Sequence, residues 1–241
     1  HSMNYAGILA GGSGTRMGKT TRPKQYFRLG ASGKPVLIHT VEAFLANEDI
    51  ARIVIACPKT WLEYTEVLVA ENCSASELER IDVICGGTER SDSLEAICAH
   101  LETTVGLSDD DLLVSHDAVR PFVTQRIIAD NIRLAREFGC TDTVVPATDT
   151  IVVSTGGQAI DDIPPRVQFY QGQTPQSFFI TEYRTLFAQL SAQQRAELTD
   201  ACKVYTLCGK PVRLVMGEYS NIKITTPHDM HVAESILAAR E

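Results

Sequence analysis

The stretch Tyr5-Ala6-Gly7-Ile8-Leu9-Ala10-Gly11-Gly12-Ser13-Gly14-Thr15-Arg16-Met17-Gly18, with Pro23-Lys24-Gln25 shortly after it, decides how the rest of the chain is read. Tyr5–Ala10 is an apolar run of strand length. The glycines that follow permit positive φ and let backbone N–H groups approach anionic oxygens closely, while Arg16 and Lys24 supply cations. A strand that ends in a glycine-rich turn followed by a basic pair reads as a cradle for a polyphosphate. It is not a Walker loop: Gly18-Lys19-Thr20 has the ending, but no glycine precedes Gly18 at the required spacing. Nor is it a dinucleotide fingerprint, because Met17 stands where a third glycine belongs and the stretch with Pro23 opens no helix directly.

Outward from this turn, apolar runs of strand length alternate with stretches of helical period. Tyr5–Ala10 is followed by Val36–Leu45, Arg52–Cys57 by Leu62–Ala70, Asp82–Cys85 by Ser91–His100, Leu112–His116 by Gln125–Phe138, and Thr143–Pro146 closes the series. Continuous apolar strands such as Ile53-Val54-Ile55-Ala56 suit a mostly parallel sheet covered by helices on both faces, with ligands at the carboxyl ends of its strands. The rhythm breaks between Thr148 and Tyr170 into short extended pieces (Thr150–Val153, Ala159–Ile160, Gln168–Tyr170) around Gly156-Gly157 and Pro164-Pro165. This segment, 148–170, reads as a projecting β-arm. An arm unable to bury its own apolar face packs on a partner, so a homodimer is expected.

The chain has 241 residues, 44% of them hydrophobic and 22% charged, which suits one α/β domain over residues 3–241. A net charge of −8 repels polyanions and argues against a nucleic-acid surface, so phosphate binding must be local. No apolar run has the roughly 20 residues needed to cross a bilayer, and no signal-peptide pattern opens the sequence; a cytoplasmic protein without membrane contact is expected. The seven cysteines are odd in number and contain no Cys-x-x-Cys, consistent with a reducing compartment.

Asp117 follows the run Leu112–His116, at the carboxyl end of a strand, where a carboxylate can hold Mg²⁺; pairing with Arg120 or capping of the next turn is the alternative. Gly86-Gly87 closes another strand ahead of Ser93, whose hydroxyl could read the edge of a pyrimidine ring. His116 reads as a packed strand residue rather than an acid or base.

The opening motif resembles the signature of sugar-phosphate nucleotidyltransferases with the Rossmann-like, GT-A type of fold. Gly86-Gly87-x-x-Arg90-x-x-Ser93, His116-Asp117-Ala118-Val119-Arg120-Pro121, Asp149-Thr150-Ile151, Gln173-Thr174-Pro175-Gln176 and Asn221-Ile222-Lys223-Ile224-Thr225 narrow the resemblance to the cytidylyltransferases, over essentially the whole chain. It implies CTP held by Leu9, Ala10, Gly11, Gly12, Gly14, Gly86, Gly87, Arg90 and Ser93, with Arg16 and Lys24 catalytic, Asp117 on a divalent cation such as Mg²⁺, and no covalent intermediate. It also implies that Arg166 and Lys223 position the acceptor's phosphate, with Thr150 and Asp200 as further acceptor contacts. For the acceptor, Tyr5–Gly12, Tyr170–Phe178 and Leu198–Lys203 resemble the ribitol-phosphate enzymes of teichoic-acid synthesis. Ribitol 5-phosphate is therefore the first expectation, giving CDP-ribitol, and 2-C-methyl-D-erythritol 4-phosphate of isoprenoid precursor synthesis is the alternative.

Overall fold

The computed structural model of the protein describes residues 2–11, 15–16, 19–20 and 22–241, without the side chains of residues 15, 16, 19 and 20. In chain order its strands are β1 (Asn4–Leu9), β2 (Thr15–Arg16), β3 (Lys19–Thr20), β4 (Arg52–Cys57), β5 (Ile81–Cys85), β6 (Leu112–Asp117), β7 (Cys140–Pro146), β8 (Tyr170–Phe179) and β9 (Arg213–Met216). The helices are α1 (Val36–Leu45), α2 (Leu62–Asn72), α3 (Ala75–Leu78), α4 (Arg90–Thr104), α5 (Gln125–Phe138), α6 (Ile180–Gln189), α7 (Ala192–Ala196), α8 (Ala201–Leu207) and α9 (Pro227–Arg240). Seven strands form one sheet in the order β5-β4-β1-β6-β8-β7-β9, while β2 and β3 pair separately.

The centre of the sheet is parallel: β1 pairs with β4 and β6, and β4 with β5. Successive residues of these strands point to opposite faces, and both faces are buried. Ile8, Ile53 and Ile55 pack with Leu37 and Phe44 of α1 and Ile127 of α5, whereas Leu9, Val54 and Leu113 pack with Leu94 and Ile97 of α4 and Tyr183 of α6. That two-sided burial is why these strands read as unbroken apolar runs. Helix starts follow local chemistry: α1 begins after Pro35, Thr124 Oγ1 accepts from Ile127 N–H at the start of α5, and Thr226 and Asp229 form a capping box on α9.

Two strands of the sheet depart from the expectation: β9, which the sequence pattern did not reveal, and β8. Only Gln168–Tyr170 was expected to be extended, but the ten residues of β8 run antiparallel between β6 and β7. The middle of β8, Gln173-Thr174-Pro175-Gln176-Ser177, has no apolar period; its polar side chains are buried and satisfied by hydrogen bonds instead.

Between β7 and β8 the chain is held by a bridge between Val153 and Asp162, a 3₁₀ turn over Arg166–Gln168, and a 2.8 Å hydrogen bond from Arg166 Nη1 to the Thr148 carbonyl. It exposes Val152, Ile160, Ile163 and Val167, the last to 82%. No helix among the described residues is long and apolar enough to cross a membrane.

Candidate active site

The carboxyl ends of β1, β4, β5 and β6 open onto a cavity of about 1180 Å³. That exceeds the roughly 300–1,000 Å³ of an ordinary small-ligand pocket and leaves room for two substrates. Leu9, Ala10, Gly11 and Lys24 line one side, Gly87, Arg90 and Ser93 another, and Asp117 and Lys223 a third. Gly12 and Gly14 lie outside the described residues, as does the side chain of Arg16.

On the first side, Gln25 is 3% exposed and its Nε2 donates to the carbonyls of Ala10 (3.0 Å) and Gly11 (3.2 Å). Occupying those two carbonyl oxygens offsets their repulsion of an anion. The neighbouring Lys24 ammonium lies 4.3 Å from the Phe27 ring centroid, and both residues face the cavity.

On the second side, the two glycines allow α4 to begin almost on top of the end of β5. A Cβ on Gly86 would stand 2.7 Å from Ser93 Oγ, and one on Gly87 would stand 2.2 Å from Asp92 Cβ and 3.1 Å from the Asp92 carbonyl carbon. Ser93 Oγ accepts from the Gly87 N–H at 3.1 Å and keeps a proton of its own to donate. Gly86 itself is not among the described residues lining the cavity.

The third side is built around Asp117, which is 4% exposed. Arg90 Nη1 donates to Oδ1 at 2.7 Å and Arg120 Nε to Oδ2 at 3.0 Å. Burial alone would raise the pKa of this carboxyl, but the charges of Arg90, Lys223 and Arg120 outweigh it and hold the group well below the usual carboxylate range. Asp117 therefore stays ionised. The pairing with Arg120, the alternative left open by the sequence, is present.

His116, next to it, is fully buried. Its Nε2 donates to the Arg120 carbonyl (2.9 Å), and Nδ1 accepts from the Thr174 hydroxyl (2.8 Å), whose oxygen in turn accepts from the Asp117 N–H (3.0 Å). Desolvation pushes its pKa down to about 4. A neutral imidazole with both nitrogens engaged is a structural link, as the sequence led one to expect.

Thr150, Arg166 and Asp200 are not among the described residues lining this cavity. Asp200 caps α8 by accepting from Lys203 N–H, and its other oxygen accepts from Gln176 Nε2 (3.0 Å), which also donates to Asp142 (3.1 Å). Burial pushes the Asp142 carboxyl up to about 6 despite the Gln176 hydrogen bond, and the Asp200 charge adds to the rise. Sequence reasoning gave no role to Gln25, Asp142, Thr174, Gln176 or Asn221, and treated Arg120 only as a partner for Asp117. All but Asp142 lie inside motifs already singled out for other residues.

Glycines in the sequence after β1, a lysine on the cavity wall and a cation-rich cavity at the carboxyl ends of a mostly parallel sheet define a nucleotidyltransferase of Rossmann type. Residues 5–239 match the family described as IspD: 2-C-methyl-D-erythritol 4-phosphate cytidylyltransferase. The chain belongs to this family and is a cytidylyltransferase.

Among solved structures it is similar to 4-diphosphocytidyl-2C-methyl-D-erythritol synthase from Anaerococcus prevotii, at 26% identity and TM-score 0.78, over 98% of this chain and 96% of that one. It is also similar to the 2-C-methyl-D-erythritol 4-phosphate cytidylyltransferases of Thermus thermophilus (26% identity, TM-score 0.73, 98% and 100% covered) and Francisella tularensis (26% identity, TM-score 0.77, 97% and 99% covered).

Enzymes of this family generally use a divalent cation. Asp117 is the carboxylate that faces the cavity at the position expected for a ligand, and in this structure it is held by cations. Both its oxygens are engaged by guanidinium groups, three cations surround it, and among the described residues no three His, Cys, Asp or Glu side chains converge.

Proposed function

We propose that the acceptor is 2-C-methyl-D-erythritol 4-phosphate, so that the chain joins it to CTP and releases pyrophosphate. The similarity of the whole chain to enzymes named for that substrate favours this acceptor over ribitol 5-phosphate, the first expectation from sequence. The structural observation that carries the reading is the cavity, large enough for a nucleotide and a second phosphate compound and lined by Lys24, Arg90 and Lys223.

A phosphate monoester has a second pKa near ~6, so at neutral pH its oxygen attacks the α-phosphate without a general base. The chain's task is electrostatic: Lys24 and Arg16 face the charge that builds on the α-phosphate and the departing pyrophosphate, and Lys223 and Arg166 aim the acceptor's phosphate. Gly87 and Ser93 read the cytosine edge.

Ribitol 5-phosphate is the second reading, supported by the motifs around Tyr170–Phe178 and Leu198–Lys203. Pyrophosphate release with CTP and each acceptor in parallel, with UTP and ATP as controls, tests both. Faster turnover of the methylerythritol phosphate supports the first reading, faster turnover of the ribitol phosphate the second, and no turnover of either overturns both.

A homodimer formed through segment 148–170, in a reducing cytoplasm, completes the proposal. Arg166 and Thr150 lie apart from the cavity on a segment with exposed Ile163 and Val167, so a partner's segment would supply them. A monomeric light-scattering mass at micromolar protein would count against this arrangement. The seven thiols are free, which suits that compartment.

A further inference from the structure

We propose that Arg120 is a positioning residue for Lys223, holding the loop that carries this lysine against the end of β6. Arg120 is 9% exposed, and its guanidinium spans two groups: Nε donates to Asp117 Oδ2 at 3.0 Å and Nη1 to the Asn221 carbonyl at 2.8 Å. Asn221 is fully buried, and its Nδ2 donates to Gln173 Oε1 (3.0 Å) and the Thr174 carbonyl (2.9 Å). Three residues further on, the Ile224 N–H donates to the Val119 carbonyl at 2.9 Å.

The backbone is thus anchored at residues 221 and 224, to the turn at 117–120 and to β8, while the Lys223 side chain between them is exposed and faces the cavity. A lysine stem has many rotamers, so the location of its ammonium depends on how firmly its backbone is fixed. The guanidinium reaches a carboxylate and a carbonyl on different elements from two separate nitrogens of a rigid fork, whereas an ammonium would have to reach both from a single nitrogen.

The inference rests on the reading of Lys223 as an acceptor-phosphate contact, and a double-mutant cycle separates the two. Arg120→Lys, Lys223→Gln and the double variant are assayed for pyrophosphate release with CTP and whichever acceptor turns over faster. Arg120→Lys should lower kcat/KM for the acceptor by roughly 10- to 10²-fold, leave KM for CTP within about 2-fold, and cost less than about 3-fold more once Lys223 is Gln. Amide hydrogen exchange at Ile224 should quicken in Arg120→Lys while exchange within β6 stays slow.

An Arg120→Lys penalty of equal size in both backgrounds overturns the positioning role, as does an unchanged kcat/KM beside a clear loss in Lys223→Gln. A Lys223→Gln enzyme with normal kcat/KM removes the reading of Lys223 on which the inference rests. Should Arg120→Lys fail to fold, Arg120→Gln, which leaves no unpaired buried cation, carries the same expectation.

Discussion

Arg90 and Asp117, on adjoining sides of the cavity, are joined at 2.7 Å through Nη1 and Oδ1. The side that carries Gly87 and Ser93 is thereby tied to the side that carries Lys223, and the tie is electrostatic. Replacing Asp117 with Asn leaves Arg90, Arg120 and Lys223 without their anion, in a site where the carboxylate is almost fully buried. Breaking such a pair costs about 3–5 kcal/mol when both partners are buried, and less here because the Arg90 side chain is 28% exposed.

Asp117→Asn should therefore lower Tm by roughly 4–10 °C in calorimetry near neutral pH and reduce turnover at least 10-fold. The folded-state pKa of Asp117 is depressed, so its stabilisation is fully present above the unfolded value of 3.8 and is lost only as pH falls through the lower folded value. The gap between the variant and the parent should hold from pH 8 to about pH 4 and narrow below that.

Lys24→Ala should reduce kcat by 10²-fold or more, the range for loss of one charge contact made to the transition state. Steady-state pyrophosphate release measures it directly. Turnover close to normal would remove Lys24 from the chemistry and leave the glycine-rich turn as a binding element only.

Gly87→Ala places a methyl group against Cβ and backbone of Asp92, in the first turn of α4, where no long side chain can swing aside. The start of the helix must shift and take Ser93 with it. KM for CTP should rise at least several-fold, with a modest fall in Tm. An unchanged KM would show that cytosine recognition does not depend on this close approach.

Asp142 has the opposite sign from Asp117. Its folded pKa, raised to about 6 from 3.8, means that the folded protein holds the proton more tightly than the unfolded chain does. Stability contributed by this group therefore falls as pH rises from about 4 to 6 and stays low above 6. Asp142→Asn removes the ionisation and keeps an oxygen to accept from Gln176. Melting should show the variant more stable than the parent by roughly 2–6 °C at pH 7–8, with the difference vanishing near pH 4. A pH-independent difference would assign the effect to packing instead.

Where burial is apolar and two-sided, sequence and structure agree closely: β4 and the helices α1 and α5 have the expected boundaries. Periodicity fails at β8 because that strand buries amides and hydroxyls. Gln173 and Thr174 meet Asn221, Gln176 bridges Asp142 and Asp200, and Ser177 meets Asn131, so nothing alternates for a hydropathy pattern to find. The site divides in the same way. Lys24, Arg90, Ser93, Asp117 and Lys223 were visible because each stands in a local motif, and they do converge. Gln25 and Arg120 stand in the same motifs, but apart from the pairing of Arg120 with Asp117 their roles did not show, because their partners lie up to 15 and 101 residues distant in the chain, which local spacing does not reveal.

The tautomer imposed on His116 has a kinetic consequence. A histidine beside a phosphate-transfer site would ordinarily be blamed for any loss of rate between pH 7 and 5, yet this ring is already committed at both nitrogens and gains a proton only near pH 4. With His116 silent, the groups that titrate between pH 7 and 5 are the acceptor, whose second phosphate ionisation lies near ~6, and Asp142, raised to about 6. An acceptor analogue of lower phosphate pKa slides the acid limb to lower pH if the substrate's ionisation sets it, whereas Asp142→Asn slides it if the protein's does, so the two substitutions divide the enzyme's working range between substrate and side chain.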